Sequence, residues 1–161
     1  MKRKKVEVNV LRILLMISIS LLPVIMNKHP RKKWITLYIY HGLTNILMDK
    51  ILVHKGYISY PTRLLPHFFK IHILFDAVLD PLAMVFYNRI TAKNQIFGIL
   101  YKSLFISVPL LFIETWAERN TNLIKWRKGW NPYLTFYSFM IKSLFTRIVV
   151  GGLYTRYVNK S

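Results

Sequence analysis

The acidic residues of this 161-residue chain are few, and most of them lie in apolar stretches of sequence. The six acids, set against 24 Lys and Arg residues, are Glu7, Asp49, Asp76, Asp80, Glu114 and Glu118. All except Glu7 fall inside an apolar segment or at its last turn. A buried carboxylate is costly to ionise unless it is paired, coordinated or protonated, so these acids are candidate functional groups.

The polar residues within the apolar segments are spaced four apart. The four sets are His41, Asn45 and Asp49; His72, Asp76 and Asp80; Glu114 and Glu118; and Ser138, Lys142 and Thr146. Residues four apart share one face of a helix. The spacing therefore predicts polar stripes that meet in the interior of a helix bundle. The candidate polar core is His41, Asn45, Asp49, His72, Asp76, Asp80, Glu114, Glu118, Lys142 and Arg147.

The favoured chemistry for this core is internal charge pairing. Asp76 and Asp80 would offset Lys142 and Arg147, the two cations of the last apolar segment. The polar stripes would then hold the helices together.

Two other chemistries compete with pairing. Asp76, Asp80 and Glu114 could titrate along a proton or substrate path. His72, Asp76 and Asp80 have a spacing that could ligate a metal, a weak pattern that often arises by chance. The sequence contains no P-loop, G-x-S-x-G, H-E-x-x-H or G-x-G-x-x-G motif. We therefore predict no cofactor, and we favour a protein that is not an enzyme.

Five apolar segments must position these residues. They cover 8–26, 34–53, 68–88, 96–117 and 132–153, each 19 to 22 residues long. About 20 helical residues cross the ~30 Å hydrocarbon core of a bilayer, and lipid leaves backbone groups no partners outside a helix. The sequence predicts an all-α fold: one membrane domain, 1–161, that forms a polytopic bundle of about five transmembrane helices. A re-entrant or tilted interfacial helix is the alternative for the third or fifth segment, which carry charges near their centres.

Pro81, directly after Asp80, interrupts the third segment. Because proline has no N–H, it predicts a kink and a free backbone carbonyl one turn earlier. Gly151 and Gly152 predict the end of the last helix.

The overall composition supports a membrane location. The formal net charge is +18, yet 53% of the residues are hydrophobic and the mean hydropathy is +0.30. This combination excludes a disordered basic tail and disfavours a soluble enzyme. The basic residues lie mainly in short loops and ends, which suits anionic lipid headgroups and offers no nucleic-acid-binding module. With no cysteine, disulfides and thiolate metal sites are excluded.

The N-terminal apolar run follows the basic stretch Met1–Lys5, as in a secretory signal. We interpret it as a retained anchor, because it extends to Met26 and then meets the basic loop 27–33 instead of a cleavage site. The distribution of Lys and Arg over the remaining loops predicts a cytoplasmic N-terminus and an outer C-terminus, although the basic loop 28–33 opposes this orientation.

Several sequence stretches resemble an uncharacterised family of small multi-span integral membrane proteins of spore-forming Gram-positive bacteria. The resemblance covers about 30–147 and implies a protein of the cell membrane. It implies no activity, cofactor or catalytic residue. It rests on Y-P-T-R-L-L-P at Tyr60–Pro66, H-I-L-F-D at His72–Asp76, Asp80-Pro81, Phe86-Tyr87-Asn88, E-T-W-A-E at Glu114–Glu118 and W-R-K-G-W at Trp126–Trp130.

The sequence thus predicts a multi-pass integral membrane protein of the cell membrane, with a non-enzymatic accessory or structural role. One alternative is a small transporter or ion- or proton-conducting protein, and a second is a metal-assisted intramembrane lipid enzyme. The predicted partners are a bilayer with anionic headgroups and either a second copy of the chain or another membrane protein. No nucleic acid is expected.

Overall fold

The computed structural model describes residues 2–27, 31–92 and 95–158, with side chains over 4–27, 31–92, 95 and 97–149. The described residues are mostly helical, which confirms the all-α prediction. The elements are α1 (Lys2–Met26), α2 (Arg31–Lys55), β1 (Ile58–Ser59), a π-helical turn (Phe75–Leu79), α3 (Asp80–Ile90), α4 (Ile96–Asn120), β2 (Lys125–Trp126) and α5 (Pro132–Val158).

Consecutive helices run in opposite directions. The short strands β1 and β2 pair antiparallel, with Ile58 opposite Trp126, so the chain leaves α2 and α4 at the same end of the bundle. We call this the sheet end. At the opposite end, Arg89 of α3 donates to the carbonyl oxygen of Ile25 in α1 at 2.7 Å. The predicted topology of five alternating segments is thus compatible with the arrangement of the helices.

The five helices form two closely packed groups. In the first, α2 packs along α3 and the π-helical turn, and α1 lies against them. In the second, α4 packs along α5, where the hydroxyl groups of Ser103 and Ser143 are 2.7 Å apart. Contacts between the two groups are sparser. A seam therefore runs between α3 and α5, and the side chains that cross it matter for the site.

Glu7 ties α1 to the loops of the sheet end. Its carboxylate accepts hydrogen bonds from the Thr62 hydroxyl at 2.8 Å and from the Asn122 backbone N–H at 3.0 Å. Glu7 is buried, as is Leu11 one turn later. The first apolar segment is therefore packed into the bundle at its N-terminal end.

The third helical segment begins later than predicted. It was expected to start at residue 68, but the chain is helical only over 73–90. The backbone N–H groups of Phe68 and Phe69 both bond to the Leu65 carbonyl, and Arg63 donates to the Tyr60 and Pro66 carbonyls. These bonds hold 60–72 as an irregular loop that folds over the sheet end.

The last helix ends later than predicted. Gly151 and Gly152 do not terminate α5, which continues to Val158. Glycine lowers helix stability by only about 1 kcal/mol relative to alanine, so two glycines need not end a helix. Residues 28–30, 93 and 94, which belong to the predicted basic loops, lie outside the described residues, as does Lys160.

The break predicted at Pro81 takes the form of the π-helical turn. The Asp80 N–H bonds to the Phe75 carbonyl, one residue further back than in an α-helix. Pro81 has no N–H to offer the Ala77 carbonyl, and that oxygen instead accepts the Tyr38 hydroxyl of α2 at 2.8 Å. The free carbonyl is therefore satisfied by the neighbouring helix.

Gly42 allows α2 to approach this turn closely. A Cβ atom at this position would lie 3.5 Å from Pro81 Cγ and 3.9 Å from the Ala77 Cα and carbonyl oxygen. These are ordinary van der Waals contacts, but they leave no room for a longer side chain. The small residue and the broken helix therefore fit one another.

The distribution of polarity is inverted relative to a soluble protein. Large apolar side chains are exposed along the helices, whereas many buried side chains are polar. Among the described residues, two helices are long and apolar enough to cross a membrane: Lys4–Met26, with a mean hydropathy of 2.2, and Phe97–Asn120, with 1.6. Only 11% of each span is buried, so neither behaves as the core helix of a soluble protein. The other three predicted spans are not confirmed.

We expect Gly42→Ala to be tolerated and Gly42→Leu to destabilise the protein. Alanine gains up to about 1 kcal/mol of helix propensity, whereas leucine would collide with Pro81 at a cost of about 1–3 kcal/mol. Chemical unfolding in detergent measures both, with Leu43→Ala on the exposed face of α2 as the control. Equal stability of the two Gly42 variants would contradict the close helix contact.

Candidate functional site

The site begins with the inner face of α2, which is polar. His41, Asn45 and Asp49 are each less than 10% exposed, whereas Leu43 and Leu47 on other faces are 63% and 60% exposed. The spacing of four residues aligns the three polar side chains along the helix. They face the π-helical turn and α3, and this pairing brings two of the predicted polar stripes together.

Asp49 lies at the centre of a hydrogen-bond network at the sheet end of this face. Its Oδ1 accepts the Tyr60 hydroxyl at 2.8 Å, and the His72 backbone N–H lies near its carboxylate. Burial and the neighbouring acids Asp49 and Asp76 raise the pKa of Tyr60 well above its ordinary value, so Tyr60 remains a hydrogen-bond donor.

Asp49 and Asp76 form a carboxyl pair. Their side chains lie within hydrogen-bonding reach of each other, and both are buried. The Oδ2 atoms of both have no donor among the described residues. A hydrogen bond between two carboxyl groups requires a proton on one of them, because adjacent carboxylates cannot both be ionised cheaply. The pair is thus built to share a proton.

Asp80 lies one turn deeper and crosses the seam between the helix groups. Its Oδ2 is 3.9 Å from Lys142 Nζ of α5 and accepts from Asn45 Nδ2 at 3.4 Å. The Asp80 and Lys142 side chains are 37% and 32% exposed, so neither is enclosed by the bundle. Lys142 is ten residues from the start of α5, about 15 Å along the helix. The ion pair is therefore loose and lies near the middle of α5.

Arg147 does not join the acids, which corrects the predicted pairing. It donates to the Thr91 and Ala92 carbonyl oxygens at 3.2 and 2.9 Å, at the end opposite the sheet. The five residues from Lys142 to Arg147 carry the guanidinium more than one helical turn away from Asp80. Arginine near a helix C-terminus bonds well to the unpaired carbonyls there.

Glu114 and Glu118 lie apart from the other acids. Glu114 Oε1 accepts from Trp126 Nε1 and Thr135 Oγ1, both at 3.3 Å. Glu118 is one turn nearer the end of α4, where its backbone carbonyl accepts a bond from Lys125. Both sit close to the sheet end because they occupy the last two turns of α4, so the predicted core divides into a central cluster and this separate group.

The ring nitrogens of the two predicted histidines are buried without hydrogen-bond partners among the described residues. His41 and His72 are each 1% exposed, and none of their ring nitrogens has a hydrogen-bond partner among the described residues. The His72 ring lies edge-on to Phe75, with 4.4 Å between centroids, and to Tyr60, with 5.6 Å. Burial lowers the pKa of His72 to about 4, and the nearby charge of Arg63 acts in the same direction.

The predicted metal ligands do not form a coordination shell. Across 2–27, 31–92 and 95–158, no group of three or more His, Cys, Asp or Glu side chains is arranged to hold a metal ion. His72, Asp76 and Asp80 lie along one segment, but the rings of Tyr60 and Phe75 flank the histidine. The arrangement gives the metal hypothesis no support.

Three participating residues were missed by the sequence reasoning. Tyr60 completes the Asp49 network, Glu7 anchors α1, and Trp126 donates to Glu114. Each is joined to a partner on another element by a contact that periodicity within one helix does not reveal.

A scan of protein-family models, a search of curated proteins and a search of solved structures each found no match to this chain. The site is therefore interpreted from its own geometry.

We expect Asp80 and Lys142 to be energetically coupled. Asp80→Asn and Lys142→Met should each destabilise the protein, and the double variant should recover about 1 kcal/mol relative to the sum of the single losses. Unfolding in detergent supplies the four values. The matched control combines Asp80→Asn with Arg147→Met, whose effects should add because Arg147 bonds elsewhere. Additive losses for Asp80 and Lys142 would rule out direct pairing.

Proposed function

We propose that this chain is a polytopic integral membrane protein in which all five helices cross the bilayer. The support is the inverted polarity: apolar side chains such as Ile39, Phe105 and Ile148 face outward, and polar side chains such as Asn45 and Ser103 face inward. A soluble protein with this surface would aggregate. In lipid the same surface is well solvated, and the polar interior supplies contacts between helices.

The less hydrophobic helices are long enough for this topology. α2 has 25 residues and α5 has 27, about 38 and 40 Å of helix. The helical stretch 73–90 is shorter, about 27 Å, but the loop 60–72 extends it at the sheet end. Their charged groups Asp49, Asp76 and Lys142 lie on the face turned towards the bundle. This placement lowers the cost of burying a charge in the membrane.

A cytoplasmic N-terminus follows from the positive-inside rule, and the cell membrane follows from the resemblance to small multi-span proteins of spore-forming Gram-positive bacteria. In this orientation the sheet end faces the cytoplasm. The surrounding Lys and Arg residues would contact anionic headgroups.

Cysteine labelling tests the topology without background, because the chain has no cysteine. We expect Lys55→Cys and Arg127→Cys, at the sheet end, to react with an impermeant maleimide only from the cytoplasmic side. Asn27→Cys and Ala92→Cys should react only from the outer side. All four positions are exposed, which makes them a matched set. Labelling of all four from the same side would contradict the five-span topology.

We further propose that the interior handles protons, so that the chain is a small proton-conducting or proton-coupled transport protein. One observation carries this proposal. Of the four acids inside the bundle, only Asp80 has a cation within ion-pair distance among the described residues, whereas Asp49, Asp76 and Glu114 have none. Internal pairing accounts for Asp80 but leaves three carboxyl groups, and a buried carboxyl without a cation takes up a proton.

A purely structural role is the alternative, and the bonds from Asn45 to Asp80 and to the Asp76 carbonyl favour it. Such bonds join α2 to α3 whether or not protons move. The two functions differ in one respect. A structural carboxyl pair keeps its proton, whereas a conducting one exchanges it.

Proton flux in liposomes separates the two functions. With a pH-sensitive dye inside the vesicles and a potassium diffusion potential, we expect a flux that Asp76→Asn and Asp80→Asn each reduce by at least about tenfold. Both changes retain side-chain volume and hydrogen bonding. Glu118→Gln is the matched control, because Glu118 lies outside the central cluster, and it should retain the flux. A rate no higher than that of empty vesicles would favour the structural role.

A further inference from the structure

His72 occupies the position between the sheet-end loop and the carboxyl pair. It is the last residue of the irregular loop 60–72, and its backbone N–H lies near the Asp49 carboxylate. Its carbonyl accepts the backbone N–H of Asp76, the other member of the pair, at 3.1 Å. The backbone of the histidine is therefore held next to the pair.

The His72 imidazole is positioned but not hydrogen-bonded. Contacts with the Tyr60 and Phe75 rings hold it on two sides, and it is 1% exposed. Neither ring nitrogen has a partner among the described residues. Buried polar groups are almost always satisfied, so two unpaired nitrogens on one buried ring call for an explanation beyond packing. A phenylalanine would pack in the same place.

A neutral imidazole can accept a proton at one nitrogen and release one from the other. The titratable and charged groups around His72 are Tyr60 and Arg63 of the loop, Asp49 of α2 and Asp76 of the π-helical turn. The lowered pKa of His72, about 4, keeps the ring neutral near pH 7. A neutral ring has a free acceptor nitrogen for an incoming proton.

Both ends of the bundle carry fixed positive charge where the helices terminate. Away from the sheet, Arg89 and Lys102 donate to backbone carbonyls, as Arg63 and Lys125 do at the sheet end. Charge therefore does not distinguish the two ends. The sheet end is the side of proton uptake because His72 and the carboxyl pair lie there.

We propose that His72 is the proton shuttle that loads the Asp49–Asp76 carboxyl pair from the sheet end, an inference that rests on the proposed proton-handling function. A proton from bulk water binds one ring nitrogen. The other nitrogen releases its proton to a carboxylate oxygen of the pair through a bridging water. The ring is neutral again, the pair has gained one proton, and no electrons are exchanged.

The test follows proton uptake by the pair itself. After a rapid pH drop applied to the full-length protein in detergent, the infrared C=O stretch of protonated carboxyl groups reports uptake, and Asp76→Asn identifies the band that belongs to the pair. We expect His72→Phe to slow the rise of this band about 10- to 100-fold. Added imidazole should restore most of the rate, which a purely structural role for His72 would not predict.

Two matched variants complete the design. His72→Gln retains a polar side chain and should be slow as well, whereas His54→Gln, at an exposed position near the same end, should keep the wild-type rate. An unchanged rate in His72→Phe, or a slow rate that imidazole does not rescue, would overturn the shuttle. The liposome flux is scored separately. Fast, His72-dependent uptake without proton flux would reject the proposed conduction but support the His72 shuttle. Proton flux with His72-independent uptake would support conduction but reject the shuttle.

Discussion

The contact between α2 and the π-helical turn is the constraint on which the rest of the structure depends. Pro81 removes one backbone donor, and the helix shifts its register by one residue to compensate. The carbonyl that loses its partner is satisfied only by Tyr38, which requires α2 to lie close, and Gly42 makes that approach possible. The same proximity brings the polar face of α2 against Asp76 and Asp80. Without the broken turn, these acids would face a different neighbour.

Burying polarity inside an apolar exterior makes the structure sensitive to single partners. In a soluble core, removing a side chain leaves a cavity; here it leaves an unpaired charge or dipole, which costs more. Asp80 has Lys142 and Asn45, whereas Asp49 has Tyr60 and Asp76. The first arrangement neutralises charge with a cation, and the second does so with a proton. The division between the two kinds of neutralisation is the basis of the proposed function.

The seam between the two helix groups is where one group could move relative to the other. α2 and α3 are joined along their length, as are α4 and α5, but the seam is crossed by few contacts, among them the loose pair of Asp80 and Lys142 and the capping bonds of Lys102 and Arg147. Protonation of Asp80 would remove the charge that Lys142 faces. Proton binding at the Asp80–Lys142 pair would therefore change a contact between the two helix groups.

The sequence by itself determined the helical class, the polar inner face of α2 and the break at Pro81, but it placed the exposed Ser138 on the inner face of α5. These are local properties, set by apolar runs, by four-residue spacing and by a missing donor. Only the tertiary structure decided that Asp49 meets Asp76 and Tyr60, that Arg147 caps a helix instead of pairing with an acid, and that the third helix starts five residues late. Spacing along one helix specifies a face but neither its neighbour nor its depth. Those depend on the register between elements and on how the loops fold over the sheet end.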